Sequence, residues 1–152
     1  MLEPVLETHA TARLIVCERT GRWAVALRRE LTGAGVRVWE TRTLGECHDE
    51  LVASPASFLV LEVNGEPSAP LRFVAQHARQ FSAARVAIVT DAAGVAYEAV
   101  AREAGAVHFL SSPRHAGLLA RLACRHLAQV PPPPQGLAER IWSSLPWADR
   151  TL

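Results

Sequence analysis

The sequence predicts an α/β domain with a five-stranded parallel sheet and helices on both faces. Three observations carry this. The run Phe58-Leu59-Val60-Leu61-Glu62-Val63 is apolar without alternation apart from one carboxylate near its end, as in a strand buried on both faces. Four more short apolar runs lie near 13–17, 36–39, 86–90 and 107–110. The stretches between them have helical periodicity, so strands and helices alternate as parallel βα units with right-handed crossovers. The 152 residues, 49% of them hydrophobic, suffice for one domain with its own core.

Residues 1–12 read as a leader, and the domain is expected over 13–129. It opens with the strand Arg13-Leu14-Ile15-Val16-Cys17. From Trp23 to Leu31, apolar residues mix with Arg28, Arg29 and Glu30 as in a helix packed on one face, and Gly33 and Gly35 end it. Val36, Val38 and Trp39 alternate like an edge strand, and Thr43 is placed to cap a helix through Leu51. After the central strand, Asn64-Gly65-Glu66-Pro67 makes a turn. Pro70 fits the first turn of a helix carrying Leu71, Phe73, Val74, Ala78 and Phe81.

Val86-Ala87-Ile88-Val89-Thr90 is the fourth strand, and Asp91 is placed to cap a helix from about Val95 to Glu103 that stops at Gly105. Val107 to Leu110 form the fifth strand, Ser111-Ser112-Pro113 end it, and Leu118 to Leu127 form the fifth helix. A proline-rich linker over 130–135 follows, stiffened by four consecutive prolines. The tail over 136–152 carries Leu137, Ile141, Trp142 and Leu145 on one side of a short helix closed by Pro146 and Trp147. A helix this short is marginal alone and calls for a docking surface, on this domain or on a partner.

Composition narrows the function. A net charge of +1 gives no electrostatic reason to expect nucleic acid or an anionic membrane as partner, and no apolar run approaches the roughly 20 residues of a membrane helix. Cys17, Cys47 and Cys124 are odd in number, distant in sequence and without a CxxC pair, so neither a disulfide framework nor a zinc cluster is expected. Cys17 reads as a buried, inert thiol. The six histidines show no metal-ligand spacing, and no glycine-rich phosphate loop follows the first strand. The start lacks the features of a secretory signal. These readings lead to the expectation of a cytoplasmic protein without cofactor or metal.

Four stretches resemble the receiver domains of bacterial two-component response regulators. Ala101-Arg102-Glu103-Ala104-Gly105-Ala106-Val107-His108-Phe109-Leu110-Ser111-Ser112-Pro113 is similar to that family's fourth helix, fifth strand and lysine-proline turn. Leu14 to Glu18 resemble its first strand and acidic pair, Leu59 to Glu62 the strand ending in the phosphoacceptor aspartate, and Ala87 to Thr90 the strand ending in a hydroxyl residue. The resemblance spans about 13–128 and implies a flavodoxin-like fold with strand order 2-1-3-4-5.

The same resemblance implies a degenerate phosphorylation site. The two acidic positions hold Cys17 and Glu18, the acceptor position Glu62 and the lysine position Ser112, while the hydroxyl position keeps Thr90. Glutamate carries its carboxylate one methylene further out, which misplaces it for in-line phosphoryl transfer. No lysine can come from elsewhere, because the chain contains none. Two carboxylates are a poor set for Mg²⁺. Glu18 and Glu62 accordingly read as remnant groups and not as an acid/base pair, with Glu62 fixing one conformation in the manner of a charged acceptor.

The resulting expectation is a non-enzymatic pseudo-receiver that acts through protein-protein contacts without phosphorylation. An atypical phosphoacceptor and a small-molecule or cofactor sensor are the alternatives. The family's output face implies Tyr97, Phe109 and Leu118 as a surface for a protein partner or a homodimer, with the tail as a second docking element.

Overall fold

The computed structural model describes residues 12–131 together with Gly136, Leu137 and Ile141. Five strands, β1 (Leu14–Cys17), β2 (Val38–Thr41), β3 (Phe58–Glu62), β4 (Arg85–Val89) and β5 (His108–Leu110), form one sheet. Every pairing is parallel and the order is β2-β1-β3-β4-β5, as expected. The connections contain α1 (Arg22–Glu30), α2 (Leu44–Ala53), α3 (Ser68–Gln80) and α4 (Glu98–Ala104), and α5 (Ala116–Gln129) follows β5.

Successive strand residues point to opposite faces, so the unbroken apolar runs supply two cores. Leu14, Val16, Phe58, Val60, Ala87 and Val89 meet Trp23 and Leu27 of α1 and Leu119 and Ala123 of α5. On the other face Ile15, Cys17, Leu59, Leu61, Val86 and Ile88 meet Cys47 and Leu51 of α2, Phe73 and Val74 of α3, and Ala101 of α4. β3 lies between β1 and β4, and its first four residues are buried.

Two elements differ from expectation. β2 begins at Val38 and not at Val36, because its pairing with β1 starts at Leu14 opposite Val38. The helix expected from Val95 is preceded by a 3₁₀ segment, Ala92–Tyr97, and α4 starts only at Glu98. The Asp91 carboxylate accepts from the Ala93 and Gly94 amides, and this tight capping winds the first turns as 3₁₀. Thr43 caps α2 as predicted, accepting from the Glu46 amide at 3.1 Å. Leu137 and Ile141 are exposed, whereas Trp142, Leu145 and Trp147 of the expected docking helix lie outside the described residues. Among the described residues, no helix is long and apolar enough to cross a membrane.

Candidate functional site

Parallel strands deliver their last residues to one edge of the sheet, and in open α/β sheets that edge is where ligands bind. Cys17 ends β1, Glu62 ends β3 and Thr90 follows β4. A cavity of about 180 Å³ opens there, lined by Cys17, Glu18, Arg19, Arg42, Glu62 and Asn64 among others. The structure thus brings Cys17, Glu18 and Glu62 together. Thr90 lies beside a neighbouring cavity with Asn64, Gly94 and Tyr97. Ser112 does not join them: it caps the short 3₁₀ turn Pro113–His115, its Oγ accepting from the Arg114 amide at 3.3 Å.

Glu18 is 2% exposed, and both of its carboxylate oxygens are taken up locally. Oε2 accepts from the Trp23 amide at 2.9 Å and Oε1 from the Ala24 amide at 2.7 Å. The sequence dictates this arrangement, because the residue preceding α1 is Gly21, held at φ 83° and without a side chain to cap the helix. Glu18 reaches forward to the orphan amides of the first turn, where the positive end of the helix dipole favours a carboxylate. It is a helix cap, a role missed when it is read only as an acidic strand end.

Glu62 is held differently. Oε1 accepts from the Arg19 amide at 3.3 Å, while buried Oε2 makes no hydrogen bond and lies 4.0 Å from Arg22 Nε. Arg42 closes the far side, donating to the Glu18 carbonyl at 3.0 Å and to Glu40 Oε1 at 3.2 Å. Arginines around the site were not foreseen. Arg22 is the first residue of α1 and follows Gly21 directly, a placement that sequence position alone could have flagged.

Thr90 is fully buried, and its hydroxyl donates to the Val63 carbonyl at 2.7 Å. Gly94 presses on it: a Cβ at Gly94 would stand 1.8 Å from Thr90 Oγ1. The hydroxyl is confined beneath the first turn after β4, and only glycine fits above it.

Cys17 is buried, as expected, at 5% exposure. Although 17 and 47 are distant in sequence, both thiols enter the same core. Cys17 Sγ donates to the Thr43 carbonyl at 3.6 Å, and that carbonyl also accepts the Cys47 amide at 3.1 Å. A hydrogen bond from Cys47 is the main reason the Cys17 thiol is lowered to about 7. The Cys47 thiol is pushed up, first by that same hydrogen bond and then by burial.

Mg²⁺ is the metal that the receiver resemblance implies, and the donor set does not fit it. The ion takes hard oxygens in near-octahedral array, but Glu18 is occupied by amides, Cys17 offers sulfur, and only Glu62 remains. Among the described residues, no three His, Cys, Asp or Glu side chains are grouped to hold a metal ion.

Of the expected partner surface, Phe109 and Leu118 line one groove between α5 and the end of α1, and Tyr97 lies apart, beside Thr90.

No family model matches the chain, and no curated protein matches it by sequence. Solved structures do match. A response regulator from Thermotoga maritima superposes with a TM-score of 0.67 at 17% identity, covering 79% of this chain and 100% of that one. An atypical orphan response regulator, described as having a phosphorylation-independent regulatory mechanism, matches with a TM-score of 0.64 at 18% identity over 78% and 97% of the two chains. The beryllofluoride-activated NtrC4 receiver domain, a dimer in solution, matches with a TM-score of 0.63 at 19% identity over 76% and 98%. The element order, the sheet order and these matches agree: the chain has the flavodoxin-like fold of response-regulator receiver domains.

Proposed function

We propose that this chain is a pseudo-receiver: a non-catalytic module that works through protein-protein contacts and does not accept a phosphoryl group. The observation that carries the reading is the capping of α1 by Glu18. Withdrawing that carboxylate to hold Mg²⁺ would uncap the helix and strand two buried amides, so the ion's own site opposes its binding. Three further features support it. Ser112 has no charge to offer a phosphoryl group, Thr90 is confined under Gly94, and Glu62 is restrained by the Arg19 amide. Glu62 then serves as a fixed charge holding the β3 end in one conformation. The strand-end cavity of about 180 Å³ is smaller than the roughly 300 Å³ at which ligand pockets begin, which argues against a nucleotide or flavin at the strand ends.

The contact surface is proposed on the α4-β5-α5 side. Val95 ahead of α4, Val100 on α4, Val107 ahead of β5 and Leu118 on α5 are large apolar residues with 40–50% exposure, and exposed apolar side chains mark interaction sites when they cluster. Phe109 is half-buried beside them.

The test is a titration of the full chain with Mg²⁺ and beryllofluoride. It is followed by tryptophan fluorescence, to which Trp23 and Trp39 contribute from the domain, and by the amide resonances of Arg19, Glu62 and Asn64. No saturable, Mg²⁺-dependent change is expected; such a change would reinstate an atypical phosphoacceptor. Glu62→Ala and Glu62→Asp variants that both match the parent in partner binding would remove the fixed-charge role.

A further inference from the structure

We infer that Cys17 and Cys47 form a peroxide-responsive dithiol at the edge of the sheet, closing reversibly to an intramolecular disulfide. The geometry that carries this is the meeting of the two residues on one acceptor. The Cys17 thiol and the Cys47 amide both donate to the Thr43 carbonyl, which fixes the end of β1 against the first turn of α2. Both side chains are buried in the same core. Cys17 alone of the two lines the cavity, beside Arg19 and Arg42, so an oxidant reaches Cys17 first and Cys47 is positioned to resolve it.

The chemistry balances with a hydroperoxide as oxidant. The Cys17 thiolate attacks one peroxide oxygen; an S–O bond forms, the O–O bond breaks, and the leaving hydroxide takes a proton and departs as water, or as an alcohol from an organic peroxide. Two electrons pass from sulfur to the peroxide, leaving a sulfenic acid on Cys17. Cys47 gives up its proton and attacks that sulfur; the S–S bond forms, the S–O bond breaks, and a second water leaves. A thiol reductant reverses the sequence. Cys17, 5% exposed, lines the cavity together with Arg19, Arg42 and Glu62, and its lowered thiol supports the order of events. Cys124, on α5, has no thiol opposite it among the described residues and serves as the internal control.

The experiment treats the full chain with near-stoichiometric hydrogen peroxide at pH 7, followed by non-reducing peptide mapping with mass spectrometry. The expected product has lost two hydrogens, links the Cys17 and Cys47 peptides, and keeps Cys124 as a thiol. Cys17 should react about threefold faster than Cys124: its gain in thiolate over an ordinary thiol is partly offset by the weaker nucleophilicity of a less basic sulfur. In Cys47→Ser, Cys17 should stop at the sulfenic acid and be trapped by a dimedone reagent. If that variant does not fold, the parent map decides alone. Equal oxidation of Cys17 and Cys124, or disulfides only between molecules, would overturn the inference. So would an untouched Cys17 at peroxide levels that consume Cys124.

Discussion

At the scale of single residues, the site turns on which neighbour claims each polar atom. Glu18 could have been a ligand, yet the chain before α1 offers no side-chain cap, and two unsatisfied amides in a buried setting outweigh the attraction of a distant cation. This yields a quantitative expectation. Glu18→Ala should destabilise the domain by about 2–3 kcal/mol, the range for losing a helix cap together with charge-assisted buried hydrogen bonds. Glu18→Gln should cost less, because its one carbonyl oxygen still accepts from either Trp23 or Ala24. Urea unfolding decides this: the midpoint should fall with an unchanged slope, and a Glu18→Ala variant as stable as the parent would show that the cap carries no weight. Legibility at this scale was partial. The identity of the strand-end residues could be read from sequence, but the direction each side chain takes could not, because it depends on the absence of a side chain at Gly21 and on the turn that brings Trp23 back over Glu18.

Between elements, α2 and α3 are joined by a pair of histidines whose protonation can be worked out. His77 Nδ1 lies 2.7 Å from the Phe73 carbonyl, and His77 Nε2 lies 2.7 Å from His48 Nδ1. A carbonyl only accepts, so Nδ1 of His77 carries the hydrogen; in the neutral ring Nε2 accepts, and His48 must donate. His77 stacks between Phe73 and Phe81, and burial is the main cause that holds its pKa below the ordinary 6.5. The unfolded chain therefore binds more protons than the folded one between the two values. The stabilisation is fully present above pH 6.5 and is lost as pH falls through the folded pKa. Burial also lowers His108, whose contribution has the same sign. Urea midpoints measured from pH 7.5 down to 5 should fall in the parent and fall less steeply in His77→Phe, which keeps the stack but not the titration. Equal slopes would place the pH dependence elsewhere. Sequence inspection found these histidines and dismissed them as metal ligands, and no spacing rule could have paired residues from two different helices.

For the molecule as a whole, the fold was legible because burial on both sheet faces demands long apolar runs, and such runs survive wherever the architecture does. Phe58 to Val63 and Val86 to Thr90 announced the middle of the sheet, and the structure places them there. The site was legible only in what it lacked. Its positive features, the hold of Cys17 on the Thr43 carbonyl at the start of α2 and the arginines around Glu62, come from contacts between residues distant along the chain. A protein that keeps its core while its strand-end chemistry changes should work through its surface, and that points to the exposed apolar residues. Val100→Glu and Val107→Glu should leave stability within about 0.5 kcal/mol, as is usual for exposed positions. They should also abolish capture of the protein's partner from native extract.

The same pull-down with a chain cut after Val130 divides the binding between domain and tail. Retention by the cut chain, with loss in the valine variants, would assign recognition to the α4-β5-α5 face. Loss on truncation with full binding by the valine variants would move recognition to residues 136–152 and reduce the domain to a carrier. Binding that survives both changes would count against both surfaces and place recognition elsewhere on the chain.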